Sequence, residues 1–263
     1  MWHNKKVKTP KIILLMVALL VIVVLGINYF LSSNAKIDLN NPPKFIQADF
    51  IDLDKIYSIS KFRSGSGHDF SGNGETCRSM KHYFNTQDTQ EKFDSWDGGT
   101  PPPPTLGKEI DIFSPVDGEI ISVENNQNPI GSQVYIVPNN AQQFKIRLFH
   151  IYLLPQLKQG SQVKAGQKIG VISTYQNTDI AISAGFLNRT FISYFQVMPD
   201  SIFAKYQTRG VGSRNEFIIT KEERNSNPLT CKGEQFVGRQ NNPERDEDFV
   251  RLSGWEDPNQ NSK

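Results

Sequence analysis

Five side chains carry most of the chemistry open to this chain: His68, Asp69, His82, His150 and Asp179. Imidazole nitrogens and carboxylate oxygens are donors that suit a zinc-like ion. Zinc that keeps one position for water acidifies it into a nucleophile at neutral pH. Arg63, Arg78 and Lys81 are interspersed with the first three. Without a metal, a cleft mixing these cations with His and Asp would suit an anionic or sugar-peptide ligand. A solvated polar loop is the other reading of the same residues. Cys77 and Cys231 are the only cysteines. In an oxidising compartment such a pair is expected to form a disulfide, with two free buried thiols as the alternative.

These residues need a scaffold, and 114–173 supplies the clearest one. Glu119–Val123, Gln133–Val137, Lys145–Phe149 and Lys168–Ile172 are short alternating runs rich in Val and Ile, which predict half-buried strands. Asp117-Gly118, Gly131-Ser132, Gln159-Gly160 and Ala165-Gly166 punctuate them as turns. His150 closes the third run.

The order Pro-x-x-Gly strand, strand, strand-His, then G-x-x-V-x-x-G-x-x-I-G resembles the lysostaphin/LytM-type zinc endopeptidases and their duplicated hybrid motif. It does so well over about sixty residues and loosely over about 120. The resemblance implies zinc held by the His and Asp of an H-x-x-x-D motif and by the second His of an H-x-H. The strand His and the first His of H-x-H would then assist catalysis. Phe62–Ser71 aligns with the opening motif when Asp69 takes the ligand Asp place; Gly65 then stands where the ligand His belongs, and His68 lies one residue before Asp69. His150 takes the strand-His place. The closing H-x-H reads Asp179-Ile180-Ala181, so Asp179 stands at the first His and Ala181 at the second. Alanine cannot bind a metal, so the resemblance implies a degenerate site. A rearranged one would use His68, Asp69 and His82 on zinc, with His150 and Asp179 as catalytic groups. The same glycine hairpin occurs in biotinyl and lipoyl carrier domains, but no Met-Lys-Met sits between the strands.

Twenty-nine basic and 27 acidic residues give a net charge of +2, which argues against a dedicated nucleic-acid binder. Ile12–Leu31 is long and apolar enough to span a bilayer as a helix, with Lys5, Lys6, Lys8 and Lys11 before it. The positive-inside rule puts the N-terminus in the cytoplasm and the bulk of the chain outside. A cleaved signal peptide ending near Ser33-Asn34-Ala35 is the alternative.

The expected fold class is mainly β: a lysostaphin/LytM-like β-sandwich preceded by one transmembrane helix. The expected divisions are a cytoplasmic tail (1–11), an anchor (12–31), a stalk (32–56), an extracytoplasmic peptidase-like domain (57–252, core 108–183) and a disordered tail (253–263). Pro101–Pro104 suits polyproline II. Phe191, Tyr194, Phe195, Met198 and Phe203 are expected to pack a short helix or edge onto the sandwich. Lys221–Arg224 is expected to be a solvated face or short helix. The expected function is a non-catalytic binding or scaffold module on a single-pass cell-membrane protein. Its partner would be an envelope peptide, glycan or protein. The alternative is an active zinc-dependent endopeptidase.

Overall fold

The computed structural model describes residues 14–17, 19–24, 26, 38, 41–72, 74–86, 103–124, 130–185, 190–238 and 246–255. The chain divides into two units, Met1–Ile37 and Asp38–Lys263. The described residues of the first are helical, with Leu14, Leu15, Leu19 and Ile22 exposed. Among the described residues no helix is long and apolar enough to cross a membrane. The expected cytoplasmic tail, most of the polar tail and half of the Pro101–Pro104 run lie outside the described residues, as do parts of the Ile12–Leu31 run.

The second unit is mainly β and antiparallel. Its principal sheet runs β13 (Phe249–Arg251), β1 (Ser58–Ser60), β2 (His82–Asn85), β9 (Thr178–Ala184), β6 (Phe144–Leu153), β5 (Ser132–Pro138), β4 (Gly118–Glu124), β7 (Gln162–Val163). β10 (Thr190–Ile192) shares the outer edge of β9 with β2. β3 (Glu109–Phe113) pairs with β8 (Lys168–Ser173), and β8 joins the end of β6. The four runs predicted from alternation coincide with β4, β5, β6 and β8. A separate hairpin holds β11 (Cys231–Lys232) and β12 (Gln235–Phe236).

β6 is the pivot of this arrangement. Phe144–Phe149 pair with β9, whereas Tyr152 and Leu153 pair with β8. The change of partner falls at a bulge, because Ser132 and Val134 of β5 face Ile151 and Leu148. An extra residue bends a strand and re-aims its side chains. His150 is the residue that bends, with φ 62°. Non-glycine residues seldom adopt that conformation, so the surroundings must hold it. Gln176 Nε2 donates to the His150 carbonyl at 2.6 Å. Gly131 lies against the bend, where a Cβ would come within 2.9 Å of the His150 and Ile151 backbone.

The core lies on one side of the β2–β9–β6–β5 ladder, where Ile180, Ile182, Ile146, Leu148, Val134 and Ile136 are buried. Phe195 stacks on Phe217 with ring centroids 3.8 Å apart, and Tyr206 of α1 (Asp200–Gln207) packs edge-on to both. Tyr194, Phe195, Met198 and Phe203 are buried, as their composition suggests, whereas Phe191 is buried on the opposite face against Phe70. Within the stretch expected as stalk, Phe45, Ile46, Phe50, Ile51, Leu53 and Ile56 are buried. Their spacing supplies an apolar face, and Gln47 and Ala48 donate to the Pro115 carbonyl. α2 (Lys221–Ser226) opens with a capping box, Thr220 with Glu223. Its Arg224 is buried against Asp248, not solvated.

Candidate functional site

Side chains in a strand alternate between faces, and those directly opposite on neighbouring strands share one. Tyr83 faces Asp179, which faces Phe149; Ala181 faces Arg147, which faces Tyr135. Lys81 directly precedes β2 and lies two residues from Tyr83, so it joins them. One face of the sheet therefore gathers Lys81, Tyr83, Phe149, Arg147 and Asp179. His82 falls on the other face, opposite Ile180.

Lys81 is the centre of this cluster. It is 2% exposed and Asp179 is fully buried. Lys81 Nζ stands 2.5 Å from Asp179 Oδ2. It also lies over the rings of Phe149, Tyr83 and Phe70, at 4.3, 4.6 and 5.1 Å from their centroids. Burial opposes the charge on Lys81, but Asp179 and Tyr83 outweigh it and hold its pKa above the ordinary value. His68 Nδ1 donates to the Asp69 carbonyl at 3.0 Å, which leaves Nε2 to accept from Lys81 Nζ at 3.4 Å. His150 Nε2 lies 3.5 Å from Asp179 Oδ1, on the exposed side. Burial lowers the pKa of His150, and Lys81 and His68 push the same way, against the pull of Asp179. Gly67 (φ +70°) makes room for the cluster: a Cβ there would fall 1.9 Å from the Tyr83 hydroxyl.

Of the candidates from the sequence, the structure brings His68, His150 and Asp179 around Lys81. Asp69 is occupied otherwise. Its Oδ1 accepts from Ser71 Oγ at 2.7 Å and Arg78 N at 3.1 Å, and its Oδ2 from Cys77 N at 3.0 Å. It closes the loop on which it sits. His82 lies in the core, where its Nδ1 donates to the Ser60 carbonyl and its Nε2 accepts from Ser193 Oγ, both at 2.8 Å. Desolvation lowers its pKa to about 4.

Gly65 donates its N–H to Asp248 Oδ1 at 3.1 Å, a carboxylate that Arg224 also reaches. Arg63 and Arg78 converge on Glu75, each within 2.7 Å of Oε2. Burial disfavours the charge on Glu75, but the two guanidiniums outweigh it and hold its pKa below 4.5. Cys77 and Cys231 form a disulfide. It fixes the β11–β12 hairpin to the loop carrying Asp69, whose N–H donates to the Glu234 carbonyl at 2.6 Å.

These residues do not fit a bound zinc. Catalytic zinc needs about three protein ligands with free lone pairs. Asp69 gives three of its roughly four acceptor sites to loop donors, both ring nitrogens of His82 are engaged, and Ala181 is packed among Phe149, Phe191, Met80 and Phe70. An ammonium already stands where His68 and Asp179 converge. Among the described residues no group of three His, Cys, Asp or Glu side chains could hold a metal ion.

A groove of about 230 Å³ adjoins the cluster, lined by Phe70, Tyr135, Phe191, Lys145, Arg147 and Ser183 among others. A larger recess, about 780 Å³, lies by Asp49, Asp111, Lys205 and Arg209. Asp49, Asp111 and Asp54 there pair with Lys205, Lys168 and Arg209, and it holds none of the clustered groups.

Lys81 is the central residue that sequence reasoning placed only at the flank. Its signal was alternation in Lys81-His82-Tyr83, which puts Lys81 and His82 on opposite faces.

No protein-family model matches the chain, and no curated protein matches it. Several solved structures align with part of the chain. One chain of the SpoIIQ–SpoIIIAH pore forming complex aligns at 14% identity over 62% of this chain and 97% of that one, with a TM-score of 0.39. The catalytic domain of the antimicrobial peptidase lysostaphin from Staphylococcus simulans aligns at 17% identity over 40% and 93%, with a TM-score of 0.24. LytU aligns at 16% over 49% and 76%, with a TM-score of 0.30.

Proposed function

We propose that residues 38–255 form a peptidase-like β domain that works as a non-catalytic binding or scaffold module at the cell envelope. Ile12–Leu31 anchors it, with the N-terminus in the cytoplasm and the domain outside. The observation that carries this reading is the Lys81 ammonium, seated on Asp179 and three aromatic rings at the heart of the cluster. A fixed cation there balances Asp179, and a divalent ion would meet its repulsion. The groove beside it offers three rings, two cations and the hydroxyls of Ser122, Tyr135 and Ser183, a surface suited to an envelope peptide, glycan or protein segment.

The purified full chain, supplied with zinc and envelope peptides, tests this reading. It should leave the peptides intact and retain envelope fragments, with retention weakened at least tenfold by Tyr135→Ala. Peptide hydrolysis that His150→Ala abolishes would establish the competing reading, a metal-dependent endopeptidase with a rearranged site. One observation favours that competitor: Lys81 touches both His68 and Asp179, and His150 lies 3.5 Å from Asp179.

A further inference from the structure

The contact between Lys81 and Asp179 is unusual for an ion pair. Both side chains are at most 2% exposed, and the nitrogen is 2.5 Å from Oδ2. Yet neither Asp179 oxygen has a hydrogen bond of acceptable geometry among the described residues. The pair is pressed together, walled by Phe70, Tyr83 and Phe149, and shielded from water. An amine this close to a carboxylate approaches the ~3–3.5 Å separation of a near-attack pair with the carboxyl carbon. Burying two charges is costly, and a neutral amide removes both. A site that excludes water also favours a condensation whose by-product is water.

We propose that Lys81 and Asp179 condense into an intramolecular amide, a covalent bridge between the start of β2 and β9. The groups needed to move the protons are in place. His68 holds its Nδ1 proton on the Asp69 carbonyl, so its Nε2 lone pair faces Lys81 Nζ and takes one proton from the ammonium. The freed amine attacks the Asp179 carboxyl carbon. His150, with its proton on Nε2, donates to Oδ1, which becomes the amide oxygen. A second proton passes from the nitrogen to Oδ2, and the one held by His68 follows. Oδ2 leaves as water. One ammonium proton remains on the amide, one C–O bond breaks, one C–N bond forms, and no oxidant or co-reactant is used. The bridge starts from the ion pair and keeps Lys81 on Asp179 in the same place, now as a neutral amide that offers a metal neither carboxylate nor vacancy, so it holds whether or not the groove takes a partner.

Intact mass of the reduced full chain, followed by peptide mapping, decides the matter. The expected mass is one water, about 18 Da, below that of the sequence, with the peptides containing Lys81 and Asp179 joined after the disulfide is reduced. Lys81→Arg and Asp179→Ala should each restore the full mass. His68→Ala should slow bridge formation at least tenfold in freshly made protein. Full sequence mass, with Lys81 and Asp179 in separate linear peptides, overturns the proposal. So does a loss of water that maps elsewhere, such as Asp117-Gly118.

Discussion

The two faces of the β2–β9 ladder bury polar groups in opposite ways. On the core face His82 is fully desolvated, but both ring nitrogens have partners, Ser60 and Ser193, and the ring stays neutral. On the other face, one residue away, Lys81 and Asp179 are as deeply buried but charged. Their contact is an ion pair, not a settled hydrogen-bond network. The imidazole is therefore a structural group whose whole capacity is used. The ion pair holds electrostatic tension in a cleft edged by two further histidines. Complete satisfaction marks architecture, and incomplete satisfaction of buried charge marks a site.

The largest effect expected concerns what holds the cleft wall. The Cys77–Cys231 bridge closes a loop with a sequence separation of 154. The chain-entropy model gives about 5 kcal/mol for its loss. Cys77→Ser with Cys231→Ser should lower the denaturant midpoint accordingly while leaving the His82 face unchanged. Loss of protection from hydrogen exchange in β2 before the β11–β12 hairpin would break the comparison.

Next comes the ion pair itself. Measured against chain whose pair has not condensed, Asp179→Ala strands a buried ammonium and should cost about 3–5 kcal/mol, whereas Lys81→Met with Asp179→Leu should be nearly neutral. Equal losses in the single and double variants, measured by equilibrium unfolding, would mean that the charges are not what matters on that face.

The third effect is the His82 response to acid. Its pKa is about 4 in the folded protein against 6.5 when unfolded. The unfolded chain therefore takes up the proton first, so stability is full above pH 6.5 and falls as the pH drops towards 4. The loss amounts to roughly 3 kcal/mol. His150 is shifted the same way, so a smaller slope should persist in His82→Gln. Urea unfolding from pH 7 to 4 would show an unchanged slope in that variant if His82 were not the source.

The smallest effect sharpens the geometry. Gly67→Ala forces a Cβ towards the Tyr83 hydroxyl at an unfavourable φ and should cost about 1–2 kcal/mol. The perturbation should shift the His68 ring resonances and leave those of His82 in place. The reverse pattern would put Gly67 on the wrong face.

The sequence shows the scaffold well and the site only in part, for a physical reason. β4, β5, β6 and β8 announce themselves by period-two alternation, a local property. His150 and Asp179 stand out because they fall at the strand-His and closing H-x-H places of the motif, and His150 also closes an alternating run. The Lys81–Asp179 pair joins residues 98 positions apart across strands whose register no local pattern reveals. Asp69 was visible as a carboxylate, but its capture by three loop donors depends on how the chain turns at Cys77, which has φ 54°. Likewise Lys221–Arg224 reads as a charged run, and only the fold brings Asp248 to Arg224. The burial of Phe45–Ile56 was nearer to hand, since Phe50, Ile51, Leu53 and Ile56 have the spacing of a packed edge.

Zinc stoichiometry of the purified full chain tests the central claim most directly. The chain is equilibrated with excess zinc, freed of unbound ion, and assayed for metal beside Lys81→Ala. With Lys81 seated on Asp179, as ion pair or as amide, the unaltered chain should retain far less than one zinc per molecule, and a chelator should not change its unfolding midpoint. Removing the ammonium should raise retention, because its repulsion is gone and Asp179 keeps His150 3.5 Å away as a second donor. One zinc per unaltered chain, lost in His150→Ala and unaffected by Lys81→Ala, would contradict the account.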